Sequence, residues 1–262
     1  MPNPVLVPPV LIRRDARGVG TVSINAPEKA NRLGMETMKA FVAAVAKLGE
    51  DPDLRVLVVT GEGDRAFMGG ANLFELGELN QVTARAFITQ VHLMSKVLRD
   101  LPVPVIARVN GWSLGAGLEV MAACDMRVAS DNAMFGMPEV KVGLPSVVEA
   151  ALLPQLIGWG RTKILLYTAE NIDAATALQW GLVEKVVAPA DLDAAVSQWV
   201  DAIVDAGPRA IRLQKELIRE WEAMPVNDAI QAGIRSLARA YETDEPTRLI
   251  GATIARLRAP KG

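Results

Sequence analysis

Histidine and cysteine occur once each in these 262 residues, as His92 and Cys124. A metal site built from several histidines is therefore excluded, and a Ser-His-Asp triad would have to use His92. With a single cysteine no intrachain disulfide can form, which fits a reducing compartment and gives the expectation of a cytoplasmic protein. Charge of neither sign dominates. The net charge is −2, and no block of Lys and Arg runs along the chain. That pattern argues against nucleic acid and against anionic membrane as partners. No apolar run approaches the roughly 20 residues of a membrane span. Residues 1–10 are apolar but broken by Pro2, Pro4, Pro8 and Pro9, and they lack the basic start of a secretory signal.

What is present is a globular composition: half of the residues are hydrophobic and 22% are charged, enough apolar material for a large core. Val19–Ile24 alternates like a strand, and residues 35–48 carry apolar side chains at helical spacing. Residues 55–60 and 105–109 read as buried strands. Residues 84–99 read as an amphipathic helix that carries His92, and surface exposure or helix packing accounts for that histidine. Residues 117–124 read as an apolar helix, 126–129 as a strand, and 146–157, 161–167, 174–180, 192–204, 208–224, 227–242 and 246–257 as helices. Strands alternating with helices, followed by helices alone, predict a repeated β/α core over residues 1–200 and a helical region over 201–262.

Several segments hold residues in unusual settings. Gly61-Glu-Gly63-Asp-Arg-Ala66 fits a dinucleotide fingerprint, but the fingerprint needs a helix to open at its third small residue. Gly69 and Gly70 follow too soon for that, so a tight turn is the better reading. Phe67-Met-Gly-Gly-Ala71-Asn72 lets backbone approach a ligand and leaves a peptide N–H free, or is a plain glycine turn. Asn110 to Glu119 joins a buried strand to an apolar helix whose first N–H groups have no internal acceptor, a natural oxyanion site. Glu119 and Glu139 are lone acids among apolar neighbours. Each is either a desolvated general acid or base or an exposed carboxylate. Ser146-Val-Val-Glu149 has the form of a capping box, and Cys124 reads as a buried structural thiol.

In order along the chain, the segments Asn25-Ala-Pro-Glu-Lys29-Ala30-Asn31-Arg32-Leu33, Phe67 to Asn72, Leu114-Gly115-Ala116-Gly-Leu-Glu119, Ala123-Cys-Asp-Met-Arg-Val-Ala-Ser130, Phe135-Gly-Met-Pro138-Glu139 and Ala177 to Val183 resemble the crotonase superfamily, the enoyl-CoA hydratase/isomerase family. The resemblance spans residues 19–257. It implies an α/β fold of repeated ββα units, the spiral core of ClpP/crotonase-like proteins, with C-terminal helices in oligomer contacts, as a trimer or hexamer. It places the oxyanion-hole N–H groups on Ala71 and Ala116 and the catalytic pair on Glu119 and Glu139. Substrate contacts fall on Lys29, Ala30, Asn72, Leu73, Gly115 and Pro138, with the coenzyme A phosphates near Lys29 and Arg32.

The implied reaction is hydration of a 2-enoyl-CoA, with coenzyme A part of the substrate and no metal or permanent cofactor. Glu119 would activate the water and Glu139 would protonate the α-carbon. A Δ3-Δ2 isomerase, another acyl-CoA lyase of this superfamily, and a non-catalytic acyl-CoA-binding protein stand as alternatives. Three departures from the family pattern stand out: Ala116 for the middle glycine, Asn72 for an aspartate, and Pro145-Ser-Val-Val-Glu149 where hydratases carry a glycine-rich segment.

Overall fold

The computed structural model describes residues 8–258. Its strands are β1 (Val10–Arg14), β2 (Val19–Ile24), β3 (Val56–Gly61), β4 (Ala66–Met68), β5 (Val105–Val109), β6 (Trp112–Leu114), β7 (Met126–Ser130), β8 (Met134–Gly136), β9 (Ile172–Asp173) and β10 (Lys185–Val187). Its helices are α1 (Met35–Gly49), α2 (Leu73–Leu76), α3 (Gln81–Asp100), α4 (Ala116–Ala122), α5 (Leu153–Thr168), α6 (Ala174–Trp180), α7 (Leu192–Asp205), α8 (Pro208–Trp221), α9 (Val226–Ala240) and α10 (Glu245–Arg258).

Two sheets share the strands. One runs in the order β1-β2-β3-β5-β7-β10, the other β4-β6-β8-β9. Three successive strand pairs, β3/β4, β5/β6 and β7/β8, each send the first strand to the large sheet and the second to the small one. This is the repeated ββα architecture that the sequence predicts. In the large sheet every pairing from β2 onward is parallel, and β1 closes the edge antiparallel. The strands of its centre are Val- and Ile-rich because both faces are covered: β3 is buried at all six positions. The main core lies around Phe41, Met94, Leu98, Leu118, Met121 and Phe135. On the other face, Leu192, Val196 and Val200 of α7 pack on Val56, Val58, Ile106 and Val128. Cys124 is buried at the end of α4, and burial pushes its thiol up to about 12.

Two departures from the expected elements have local causes. The helix predicted over 146–157 begins later, as a 3-10 turn over Val148–Leu152 followed by α5. Pro154 in the first turn of α5 suits a helix start, and Gly158 at φ 77° and ψ 160° interrupts it. The strands β1, β6, β9 and β10 are too short or too polar for alternation to reveal them.

The small sheet fixes the distance between two loops. β4 and β6 are parallel neighbours, so residues 68–71 and 114–117 lie side by side. A Cβ on Gly70, which sits at φ +92°, would come 2.9 Å from the Leu114 carbonyl oxygen, and a Cβ on Gly117 would overlap the Met68 carbonyl. Gly117→Ala is therefore expected to push these loops apart and to destabilise the fold by about 1–3 kcal/mol, readable as a lower urea midpoint at unchanged slope.

Candidate active site

Among the described residues, the Ala71 and Ala116 N–H groups have no backbone acceptor where the small sheet ends. Leu33 N–H donates to the Gly70 carbonyl at 2.8 Å, and Asn72 N–H donates to the Leu33 carbonyl at 2.8 Å. This isolated parallel bridge uses the groups on either side of Ala71 and turns the Ala71 N–H away from the chain that pairs with it. Ala116 is the first residue of α4, so its N–H precedes the helical ladder. Gly115 before it adopts φ 51° and ψ −122°, a conformation that glycine reaches and other residues do not. The Gly115 N–H meanwhile goes to the Gly136 carbonyl at 2.9 Å, which ties the loop to β8.

Glu119 lies one turn along α4 from Ala116, on the same face. It is 3% exposed, and its Oε1 accepts the Ala150 N–H at 3.2 Å. Burial pushes its carboxyl up to about 8, helped by the negative charges of Glu139 and Glu149 and opposed by the Ala150 hydrogen bond. Glu139 opens the 3-10 turn that follows Pro138. It is half-buried and accepts the Ser146 hydroxyl on Oε2 at 2.8 Å. Its Oε1 sits against Gly115, where any Cβ would collide with it. The structure thus brings both acids, Gly115 and Ala116 together. It makes Glu119, and not Glu139, the deeply desolvated member of the pair. Gly115→Ala is expected to cost at least about 100-fold in turnover through a misplaced carboxylate, with KM for the acyl thioester changed much less.

The other predicted site residues lie on the loops around β4 and the start of α2. Ala30 is left-handed at φ 52°, and its carbonyl accepts the Gly69 N–H at 2.9 Å. Asn72 caps the short helix α2 by accepting the Phe74 N–H and donates to Glu75 at 2.8 Å. Leu73 is exposed, and Lys29 is exposed with Glu28 at 3.7 Å. Arg32, expected near phosphates, stacks its guanidinium 5.2 Å from the centre of the Phe74 ring.

Two residues escaped the sequence reading. Asn31, fully buried at φ 52°, donates to the carbonyls of Glu62 and Ala66 and accepts the Ala26 N–H, so it anchors the Ala30 loop to β4. Its place inside the first motif was the available signal. Glu75 accepts the Met35 N–H at 2.8 Å and so joins Asn72 to the start of α1; nothing local marked it. The capping box expected at Ser146 and Glu149 does not form. Ser146 donates to Glu139, and Glu149 turns inward to His92 Nδ1 at 2.8 Å. Residues 148–152 are a 3-10 turn, so the N–H that such a box would serve belongs to no α-helix.

The sequence profile of the family described as "Enoyl-CoA hydratase/isomerase" matches residues 14–248. The short-chain-enoyl-CoA hydratase of Clostridium acetobutylicum is 33% identical over 90% of this chain and 90% of its own length. The crotonyl-CoA hydratase of Syntrophomonas wolfei is 35% identical over 85% of this chain and 86% of its own. Among solved structures, the enoyl-CoA hydratase of Mycobacterium smegmatis superposes with a TM-score of 0.92 at 29% identity, covering 97% of this chain and 99% of that one.

Proposed function

This chain belongs to the enoyl-CoA hydratase/isomerase family, and we propose from that footing that it is an enoyl-CoA hydratase whose Glu119 and Glu139 share the acid–base work beside an oxyanion hole at Ala71 and Ala116. The observation that carries this reading is the convergence of two free N–H groups and two carboxylates on one end of the small sheet. The thioester oxygen of a 2-enoyl-CoA takes both N–H bonds. Glu119 accepts a proton from water, the water oxygen bonds the β-carbon, and the π electrons move onto the thioester oxygen as an enolate. The enolate collapses as Glu139 delivers a proton to the α-carbon. Dehydration runs the same steps backward. Preorganised donors at that oxygen supply several kcal/mol.

The pair needs one proton between its two carboxyls, in either direction. Burial holds that proton on Glu119 in the free protein up to about pH 8. Below that value Glu119 is the acid of dehydration; for hydration the proton passes to Glu139. We therefore expect kcat/KM to hold through neutral pH and to fall above about 8 equally in both directions, because the site then holds no proton to transfer. Loss of crotonyl-CoA absorbance in water, followed across pH, checks both the activity and this limb. No loss at any pH would defeat the hydratase reading.

Coenzyme A is substrate in this scheme. Lys29, Arg32 and the backbone at Ala30 are its proposed contacts, with Leu73, Asn72 and Pro138 beside the thioester. The protein is proposed to act in the cytoplasm; among the described residues, no helix is long and apolar enough to cross a membrane. It is further proposed to assemble as a trimer or hexamer through residues 201–262. Val226, Ile230, Ile234, Leu237 and Tyr241 form an exposed apolar stripe along α9, and Ile250, Ile254 and Leu257 another on α10. A charge placed on such a stripe, as in Ile234→Asp, is expected to shift the sedimentation profile to smaller species.

A further inference from the structure

The wall that replaces the glycine-rich segment carries a third carboxylate. Glu149 is 6% exposed. One of its oxygens is bonded by His92 Nδ1 at 2.8 Å, while the other is buried without a partner among the described residues. The residue before it, Val148, sits at φ +41°, where a β-branched side chain is strained by about 1–3 kcal/mol. The residue after it, Ala150, shares its N–H between the Val147 carbonyl at 2.9 Å and Glu119 Oε1 at 3.2 Å. A strained turn that buries one acid and turns its next N–H toward another is held by something, and among the described residues the side chain bonded to Glu149 is His92, reaching in half-exposed from α3.

We propose that Glu149, clamped by His92, is a positioning residue for Glu119: it pins the Val148–Leu152 turn so that the Ala150 N–H stays on the Glu119 carboxylate, and it sets a fixed negative charge beside that carboxylate. The charged groups around it are few. From α3 the facing group is His92; Arg85 is exposed, Lys96 pairs with Asp100, Asp100 also with Arg219, and Arg99 with Glu222. From α4 it is Glu119, with Glu139 beyond it. From α5 there are only Arg161, which donates to the Trp180 carbonyl, and the exposed Lys163. Among the described residues, His92 is thus the one basic side chain facing these three acids.

Glu149→Gln keeps the shape and the acceptor for His92 but removes the charge. His92→Leu removes the clamp at a half-exposed position. Difference infrared spectroscopy of the free protein reads the protonated Glu119 carboxyl, identified by its loss in Glu119→Gln, and requires no turnover. The midpoint at which that band disappears is expected to fall by about half a pH unit in Glu149→Gln. In His92→Leu, kcat for crotonyl-CoA is expected to drop about tenfold with KM within about twofold, and His92→Gln, which restores a donor, is expected to recover most of it. An unmoved midpoint in Glu149→Gln overturns the proposal, and so does an unchanged kcat in His92→Leu. The kinetic arm rests on the hydratase reading and the titration does not, so a chain that never hydrates crotonyl-CoA would defeat that reading and still leave this one readable.

Discussion

Glu119→Gln is expected to lower the rate of crotonyl-CoA hydration by about 1,000-fold and to raise the stability of the folded chain at alkaline pH. Both effects have one origin. A carboxyl 3% exposed on an apolar helix binds its proton up to about pH 8, whereas its ordinary value is 4.5. Between those values the folded state holds a proton that the unfolded chain has released. Stability therefore falls as pH rises through the window, and the loss is complete above about 8. The full cost is on the order of a few kcal/mol. Glutamine accepts the Ala150 N–H as the acid does and never ionises. Thermal melts of the variant and the parent should diverge from pH 6 to pH 9, the variant melting higher, and converge toward pH 5. A variant that kept the parent's hydration rate, or melted lower at pH 9, would remove Glu119 from its assigned role. A buried acid that lowers the stability of the fold as pH rises fits a group kept for its chemistry.

Ala116→Pro should cost about 100- to 1,000-fold in kcat with little change in melting temperature. Proline at the first position of a helix loses only an N–H that the helix does not use, and here that N–H is the proposed donor to the thioester oxygen. The preceding Gly115 has the mirror image of an extended conformation, so its backbone accepts a following proline without the clash that a side chain would bring. Removing one oxyanion donor of this kind typically lowers turnover by two to three orders of magnitude. Circular dichroism and a thermal melt report whether the fold is intact, and single-turnover kinetics report the chemical step. An intact variant with normal turnover would place the donor elsewhere.

The elements that frame the site were readable because each depended on a local rule. The mostly apolar runs at 56–60 and 105–109 mark buried strands, and the strand-to-helix joint at 110–119 demands small residues and leaves free N–H groups. Glu119 and Glu139 stood out as charges in apolar company. The depth of each acid was not readable, because it depends on what packs from elsewhere in the chain: Ala150 and the charge of Glu149 reach Glu119 from 31 and 30 residues away, and Ser146 crosses to Glu139 through a turn that a helical pattern disguised. Glu149 was misread for the same reason. Its spacing from Ser146 satisfies a capping rule, but a histidine 57 residues earlier in the chain claims it. Asn31 shows the converse: its motif was visible, while its three hydrogen bonds to Ala26, Glu62 and Ala66 exist only once β4 is in place.

The lone sulfhydryl gives this protein an internal clock. At neutral pH the Cys124 thiol, pushed up to about 12 by burial at the end of α4, has almost no thiolate to offer an alkylating reagent. Modification must therefore wait for the segment behind α4 to open, and its rate at low reagent strength measures how often that happens. An acyl-CoA that binds the closed form should slow the labelling in proportion to its occupancy, so affinity can be read from a residue that never touches the ligand.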